Sequence, residues 1–429
     1  MEPIEHLFRR ESGRIAATVT RIFGVHNLAL AEDVVQDAFC RALEVWKFRG
    51  VPDNPSAWLM ATAKNRALDV LRRDRTVRNF APELARLLES EWTLVPAVEE
   101  QFEPHAIRDD ELRMMFSCCH PKLTEEAQVA LILHILCGFS VDEVAGAFVS
   151  SHAAMEKRIT RAKKVLARSK KLFDIVRGED FTVRLPAVHR ALYLLFNEGY
   201  HGASPESAVR TELCGEAMRL AGLLREYPPA STPATFALGA LMCLHAARLP
   251  ARLDSSGDLR SLFDQDRSRW DVGLVAEGQR LLDLSAAGPV LTEYHVEAAI
   301  AWVHTTAHEA GDTDWNTIVS LYDKLLAIRA SPVVALNRAI AIAERDGPQR
   351  GLEEVHAIAD SGRLVHYPFF HAALGEFELR CGRHETARDH FRRALAVARN
   401  TMERQFFEHR IGACERPTTS WHCSSCANE

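Results

Sequence analysis

The sequence has no apolar run approaching the roughly 20 residues that span a bilayer. Its opening stretch, MEPIEHLFRRESGR, lacks the apolar core of a signal peptide. Both absences argue against a membrane partner and place the chain in the cytoplasm. Strand-like alternation is scarce, which removes most β and α/β architectures. Cysteine is sparse: ten in 429 residues make no disulfide scaffold, and most sit in helical patterns as small apolar residues. Excess positive charge is absent too. The 52 Lys and Arg stand against 58 Asp and Glu, a formal net charge of −6, which argues against a uniformly basic coat for nucleic acid. Local basic faces survive that argument, because a field is set by charges within a Debye length of roughly 8 Å at physiological salt.

What is present is helix, rich in Ala, Leu, Arg and Glu, and the chain reads as all-α. Its length suggests several domains. Residues 1–80 form the first. GRIAATVTRIFG places Ile15, Val19, Ile22 and Phe23 on one face. AEDVVQDAFCRALEVW places Val34, Val35, Ala38, Phe39, Ala42, Leu43 and Trp46 in a stripe of helical period. Asn54 and Pro55 then signal a helix start, with Asn54 as cap and Pro55 at the first helical position. Residues 81–106 form an acidic linker with three prolines and six glutamates, best read as a tether.

Residues 107–172 hold a helix opened by Thr124 and ended by Gly138, a short helix capped by Ser140, a tight turn, and a helix capped by Ser150 or Ser151. A short helix, a tight turn and a second helix form a helix-turn-helix pattern. Residues 180–412 return to helical hairpins. ALGEFELRCGRHETARDHFRRALAVARN has Leu374, Gly375, Gly382, Ala387, Phe391 and Ala394 at tetratricopeptide spacing, with looser copies before it. FNEGYHG, with Asn197, Glu198 and His201, reads as a turn packed between helices. Residues 413–429 are a Cys-containing tail.

Positive charge gathers in one place. From Lys157 to Lys171 there are eight Lys or Arg and no Asp or Glu. A merely solvated helix usually carries compensating acids at i+4, and this one does not. Its apolar positions, Met155, Ile159, Ala162 and Leu166, leave His152, Glu156, Lys157, Arg161 and Lys164 outward, with Arg158 at the flank. The pattern is that of a recognition helix entering the major groove, with the run from Lys163 to Lys171 holding phosphates. A second nucleic-acid face lies on the helix 57–73, where Asn65, Arg66, Asp69, Arg72 and Arg73 oppose Leu59, Ala63, Ala67 and Val70. Taken alone, that second face reads better as solvated surface.

In order and spacing, AEDVVQDAFCRALEVW, WLMATAKNRALDVLRR and LTEEAQVALILHILCGFSVDEVAGAFVSSHAAMEKRITRAKKVL resemble regions 2 and 4 of extracytoplasmic-function (ECF) sigma factors. The resemblance covers about 1–172. The rest looks like the long tetratricopeptide-containing extension of one subgroup, with LYLLFNEGY and DQDRSRWD among its phrases. It implies a region 2 bundle, a region 4 helix-turn-helix and a helical-repeat domain. Asp33, Gln36, Asp37, Arg41 and Glu44 would dock on the β′ clamp of core RNA polymerase, with the β flap as a further contact. Lys64, Asn65, Arg66, Arg72, Arg73 and Arg75 would hold the −10 element. His152, Ala153, Glu156, Lys157, Arg158, Arg161 and Lys164 would read the −35 element. Glu156 departs from the family, where a basic or neutral residue is common; an acid there accepts from cytosine but repels phosphate. The partners implied are core polymerase, promoter DNA and a protein or peptide ligand of the extension.

Neither catalysis, a cofactor nor a metal is expected. CCH at Cys118–His120 lacks a second ligand pair and reads as helix-end packing. Cys414, His422, Cys423 and Cys426 offer Zn²⁺ or redox chemistry in a polar tail, and the sequence leaves both open. No nucleophile–base pair or phosphate loop accompanies FNEGYHG. The competing reading is a helix-turn-helix regulator with a repeat-type sensor domain, acting without polymerase; it leaves the first 80 residues unexplained.

Overall fold

The computed structural model describes residues 4–24, 27–73, 104–148, 150–168, 180–201, 209–254, 259–307 and 309–415. Among these the structure is helical throughout, apart from one isolated bridge between Leu253 and Leu259. Two compact units divide the chain: residues 1–199 with 210–235, and residues 200–209 with 236–429.

In the first unit, α1 (Ile4–Phe23) packs on α2 (Leu28–Arg49), α3 (Pro55–Arg73) and α4 (Pro104–Cys118). The expected face of α1 is fully enclosed: Ile15, Val19, Ile22 and Phe23 are all buried. The stripe on α2 buries Val34, Val35, Ala38, Phe39, Ala42 and Trp46. Leu43 departs from it and stands 53% exposed. The helical period explains why, since a broad stripe turns outward at its edge. Asn54 caps α3 by accepting from the Ala57 amide at 3.0 Å. Trp58 meets Trp46 edge to face, with ring centroids 5.3 Å apart.

The helices α5 (Glu125–Ile135), α6 (Val141–Ala147) and α7 (His152–Ala167) follow. Thr124, Ser140 and Ser151 cap them in turn, each accepting a backbone amide three residues on. At Ser140 the cap is reciprocal, because Glu143 accepts from the Ser140 amide at 2.9 Å. Gly138, at φ +65°, ends the α5 segment. The tip of that segment presses on α1. A Cβ at Gly13 would lie 1.9 Å from the Leu136 carbonyl oxygen, so only glycine permits the approach.

The hairpin of α8 (Asp180–Tyr200) and α9 (Thr211–Glu226) closes the first unit. FNEGY is the last turn of α8 and not a turn between helices. Gly199 allows it, since a Cβ there would meet the Cys214 amide at 2.7 Å.

The second unit contains most of α10 (Pro233–Ala246), then α11 (Leu249–Arg252), α12 (Val272–Ser285), α13 (Glu293–Thr306), α14 (Trp315–Ile328), α15 (Pro332–Asp346), α16 (Pro348–His356), α17 (Pro368–Arg380), α18 (His384–Ala396) and α19 (Thr401–Glu415). Successive helices from α13 onward pack in pairs. Phe391 of α18 sits against Gly375 of α17, and Gly382 takes φ +76° between them. DQDRSRWD is a set of supports. Asp266 caps its own short turn and Asp271 caps α12. Arg267 donates to the His304 and Ala307 carbonyls at 2.8 and 2.7 Å, and Trp270 is buried.

Candidate nucleic-acid interface

The α6–turn–α7 pair presents one face outward. Met155, Ile159, Ala162 and Leu166 are buried with Val144 and Ala145. His152, Ala153, Glu156, Lys157, Arg161 and Lys164 are exposed, and Arg158 is half-buried at the flank. The alternation follows from four buried positions at steps of three and four, which leave the opposite side of the helix to solvent. Acids do compensate part of the charge, but from other helices. Arg158 pairs with Glu126 of α5 at 3.2 Å, and His152 Nδ1 lies 2.5 Å from Asp142 of α6. Both acids are well exposed, so these pairs are weak and exchangeable for phosphate. Arg161, Lys164 and Glu156 complete the outward face.

Lys163 is engaged elsewhere. Its ammonium donates to Glu32 of α2 at 2.6 Å and contacts His134 Nε2 at 3.1 Å. The expected phosphate run therefore loses its first member to a joint between α7, α5 and α2. The His134 pKa is lowered by burial and then by Lys163, opposed by the Phe139 carbonyl and Glu32. A cleft of about 990 Å³ lies beside this joint, lined by Asp33, Gln36 and Leu43 from α2 and by Phe139, Ser140 and Glu143 from the helix-turn-helix.

All five α2 residues expected at polymerase, Asp33, Gln36, Asp37, Arg41 and Glu44, are exposed. Arg41 pairs with Glu44 at 3.1 Å, and Asp37 with Arg66 of α3 at 2.6 Å. The Asp37–Arg66 pair ties the expected polymerase face to the expected −10 face. Exposed Leu43 and Phe48, the latter 84% exposed, add apolar surface to the same helix. On α3, Asn65 is exposed and Lys64 half-buried. Arg72 and Arg73 end α3 with side chains outside the described residues, and Arg75 lies outside them altogether.

Three arginines from beyond the helix-turn-helix reach into this unit, and the local sequence gave no sign of them. Arg210 bridges Glu143 of α6 at 2.9 Å and Glu198 of α8 at 2.8 Å, and stacks over Phe139. Arg219 of α9 forks onto Glu111 of α4 at 2.7 and 3.2 Å and onto Glu216. Arg184 of α8 donates to the Phe116 carbonyl at 3.0 Å. Their partners Phe116, Glu143 and Glu111 lie 67 to 108 residues away and leave no periodicity to read.

Cys118 and Cys119 are fully buried, as helix-end packing requires, and burial pushes the Cys118 thiol up to about 12. Burial raises the Cys119 thiol as well. Cys414 is buried on α19, while His422, Cys423 and Cys426 lie outside the described residues. Among the described residues no three His, Cys, Asp or Glu converge as a metal site, and no helix is long and apolar enough to cross a membrane.

Comparison with known proteins places three family descriptions along the chain. Residues 7–77 match sigma-70 region 2 and residues 113–166 match sigma-70 region 4. Residues 184–286 match a family of unknown function, DUF6596. An uncharacterized protein of Rhizobium meliloti, R00370, is 38% identical over 387 residues, 90% of each chain. The ECF RNA polymerase sigma factor SigX of Bacillus subtilis is 24% identical over 144 residues, 33% of this chain and 71% of SigX. No solved structure matches.

Proposed function

Because the chain carries sigma-70 regions 2 and 4, on α1–α3 and α4–α7, and shares 90% of its length with the rhizobial relative, we propose that it is an ECF-type sigma factor with a built-in regulatory extension. It binds core RNA polymerase in the cytoplasm, carries it to a promoter and helps open the start site. The observation that carries this reading is the pairing of a region 2 helix bundle with a capped helix-turn-helix whose exposed face holds His152, Lys157, Arg161 and Lys164.

Region 2 docks through α2. Asp33, Gln36, Asp37 and Glu44 offer acceptors to a basic partner such as the β′ clamp, with exposed Leu43 and Phe48 as apolar anchors. On α3, Asn65 reads an extruded base edge and Arg66 tracks the strand. Taking one base out of the stack costs a few kcal/mol unless a site accepts it, so opening is driven by binding free energy. On α7, the N-terminal half reads base edges and Lys164 holds phosphate. The net charge of −6 fits this division, because polymerase rather than bulk charge brings α7 to DNA.

The extension is a tetratricopeptide-like array, supported by the Gly375–Phe391 approach and the left-handed Gly382. It acts on the sigma regions in cis. Its first hairpin, α8–α9, already supplies Arg184, Arg210 and Arg219 to region 4.

Purified chain mixed with core polymerase, followed by run-off transcription on genomic fragments, tests the reading. Co-elution with polymerase and new start sites are expected. Specific duplex binding by the chain alone, with no polymerase association, would instead establish a conventional helix-turn-helix regulator.

A further inference from the structure

Two arginines of the second unit are more than nine-tenths buried and, among the described residues, pair with no carboxylate. Arg248 precedes α11 and is 7% exposed; Arg252 ends it and is 8% exposed. Arg248 donates to the Tyr200 hydroxyl at 2.9 Å and lies 5.9 Å from the Trp270 ring centroid. Arg252 lies 4.2 Å from the Tyr200 ring centroid and points a terminal nitrogen at His201 Nδ1, 3.2 Å away. The Nε of each is buried with no hydrogen-bond partner. Both residues line a cavity of about 590 Å³.

Four of the neighbouring acids are already matched. Arg260 holds Asp254, Arg380 holds Glu344, Arg399 holds Glu403 and Arg410 holds Glu376. A fifth, Asp264 of the lining, accepts from the Ser261 hydroxyl at 2.6 Å and is not bonded to either arginine. The nearby imidazoles respond to this surplus. His201, His245 and His304 all have lowered pKa values, first through desolvation and then through the arginine charges, with His304 brought down to about 4. Aromatic faces offset part of a guanidinium charge. They do not satisfy its in-plane donors, which form a fork suited to a planar or tetrahedral oxyanion. A buried charge without a counter-ion is costly to keep, so two at one cavity mark a place where a counter-ion belongs.

The rest of the cavity describes what carries that charge. Leu262, Phe263, Phe369 and Phe406 form apolar walls around it. The volume falls within the range of small-molecule sites. We propose that the second unit binds a small organic oxyanion, its carboxylate or phosphate held by Arg248 and Arg252 and its apolar body against these aromatic walls. The proposal stands apart from the sigma reading, since binding is measured on the full chain without polymerase or DNA.

Isothermal titration of the full chain at constant ionic strength tests it with 1-naphthoate, phenyl phosphate, neutral 1-naphthamide and inorganic phosphate. Naphthoate or phenyl phosphate is expected to bind at least about tenfold tighter than naphthamide, the scale of a charged hydrogen-bond pair. The tighter of the two identifies the head group. Inorganic phosphate is expected to bind more weakly than phenyl phosphate, because it lacks the apolar body. Arg248→Gln and Arg252→Gln should each weaken the anion and leave naphthamide unchanged. Arg252→Lys keeps the charge and loses the fork, and should fall between Gln and wild type. Circular dichroism and thermal melting report whether each variant keeps its fold. The comparison of naphthoate with naphthamide needs no variant. Equal affinity for that pair, no heat from either organic anion up to about 10 mM, or undiminished anion binding by folded Gln variants would overturn the proposal. Equal binding of inorganic and phenyl phosphate would overturn the apolar body.

Discussion

Arg219 is the side chain that joins two buried carboxylates of the first unit. It serves Glu111, 2% exposed, and Glu216, 8% exposed, from two helices. Arg219→Ala leaves both carboxylates without it, and roughly 3 kcal/mol of stability should be lost at neutral pH, the low end for a broken buried pair because Arg219 is itself a third exposed. The pH dependence has a defined sign. Burial holds the Glu216 pKa above its ordinary value even with Arg219 present. Removing Arg219 raises it further. A carboxyl with a raised folded pKa stabilises the fold most at low pH and loses that contribution as pH rises through the folded value. The gap between variant and wild type in urea melts should therefore narrow from pH 7.5 to pH 5.5. A gap that widens on acidification would contradict the assignment. On α7 the roles separate by side chain. Lys164→Ala should weaken all promoters alike and lower the salt slope by about one. Arg161→Ala should change promoter preference, and Arg158→Ala less so because Glu126 already holds that guanidinium. Binding to a promoter panel at several salt concentrations distinguishes these patterns. Glu156 is exposed beside them, and in the proposed reading it would accept from a cytosine amine while repelling phosphate.

Helices form the next scale, and here the joint between regions 2 and 4 is the informative feature. Glu32 of α2, His134 of α5 and Lys163 of α7 meet beside a cleft lined by Asp33 and Gln36 of the proposed polymerase face. His134 faces Lys163 and Glu32, and its Nδ1 lies 2.8 Å from the Phe139 carbonyl. Its pKa is lowered within the joint. An opened joint, with an ordinary imidazole, takes up a proton as pH falls below about 6.5 while the closed joint resists. Acidification thus favours opening. Hydrogen exchange across 32–43, corrected for intrinsic rate, should quicken between pH 7.5 and pH 6, and His134→Gln should remove that response. Lys163→Ala should quicken exchange at both pH values. Unchanged exchange in Lys163→Ala would show that the joint does not hold the two regions together. The helices themselves were legible because their signals are local: Asn54, Thr124, Ser140 and Ser151 each cap where a short polar residue precedes an apolar period. The outward face of α7 followed from the same period. Leu43 and FNEGY were misread because an apolar edge position and a glycine look alike whether packed or exposed, helical or turning. Glu32–Lys163 spans 131 residues, and no local pattern encodes such a pair.

At the scale of the molecule, the compact units do not follow the family matches. The sigma-70 region 4 match ends at 166, yet the first compact unit takes in residues 210–235. A cut near residue 175 removes Arg184, Arg210 and Arg219 together, and with them the bonds to the Phe116 carbonyl, Glu143 and Glu111. Charged hydrogen bonds of this kind contribute about 1.5–3 kcal/mol each. Loss of transcription from such a fragment would therefore report a weakened region 4 and say nothing of regulation. A chain ending after Thr235 keeps all three arginines and the His189–Thr235 bond, 2.8 Å long. It should melt several degrees above the shorter fragment, at roughly 2–4 °C per kcal/mol for a unit of this size. Against the full chain it isolates the second unit. If that unit controls sigma activity in cis, in vitro transcription by the 1–235 chain should differ from the full chain in amount or in promoter choice. Identical output from both, with the 1–175 fragment alone impaired, would confine the extension's role to its first hairpin. The control would then be structural, because Arg210 joins the helix-turn-helix to α8 through two carboxylates. Arg210→Ala in the full chain should in that case reproduce the defect of the short fragment. Regulation by the second unit predicts the opposite order, with Arg210→Ala retaining the full chain's promoter choice and the 1–235 chain losing it.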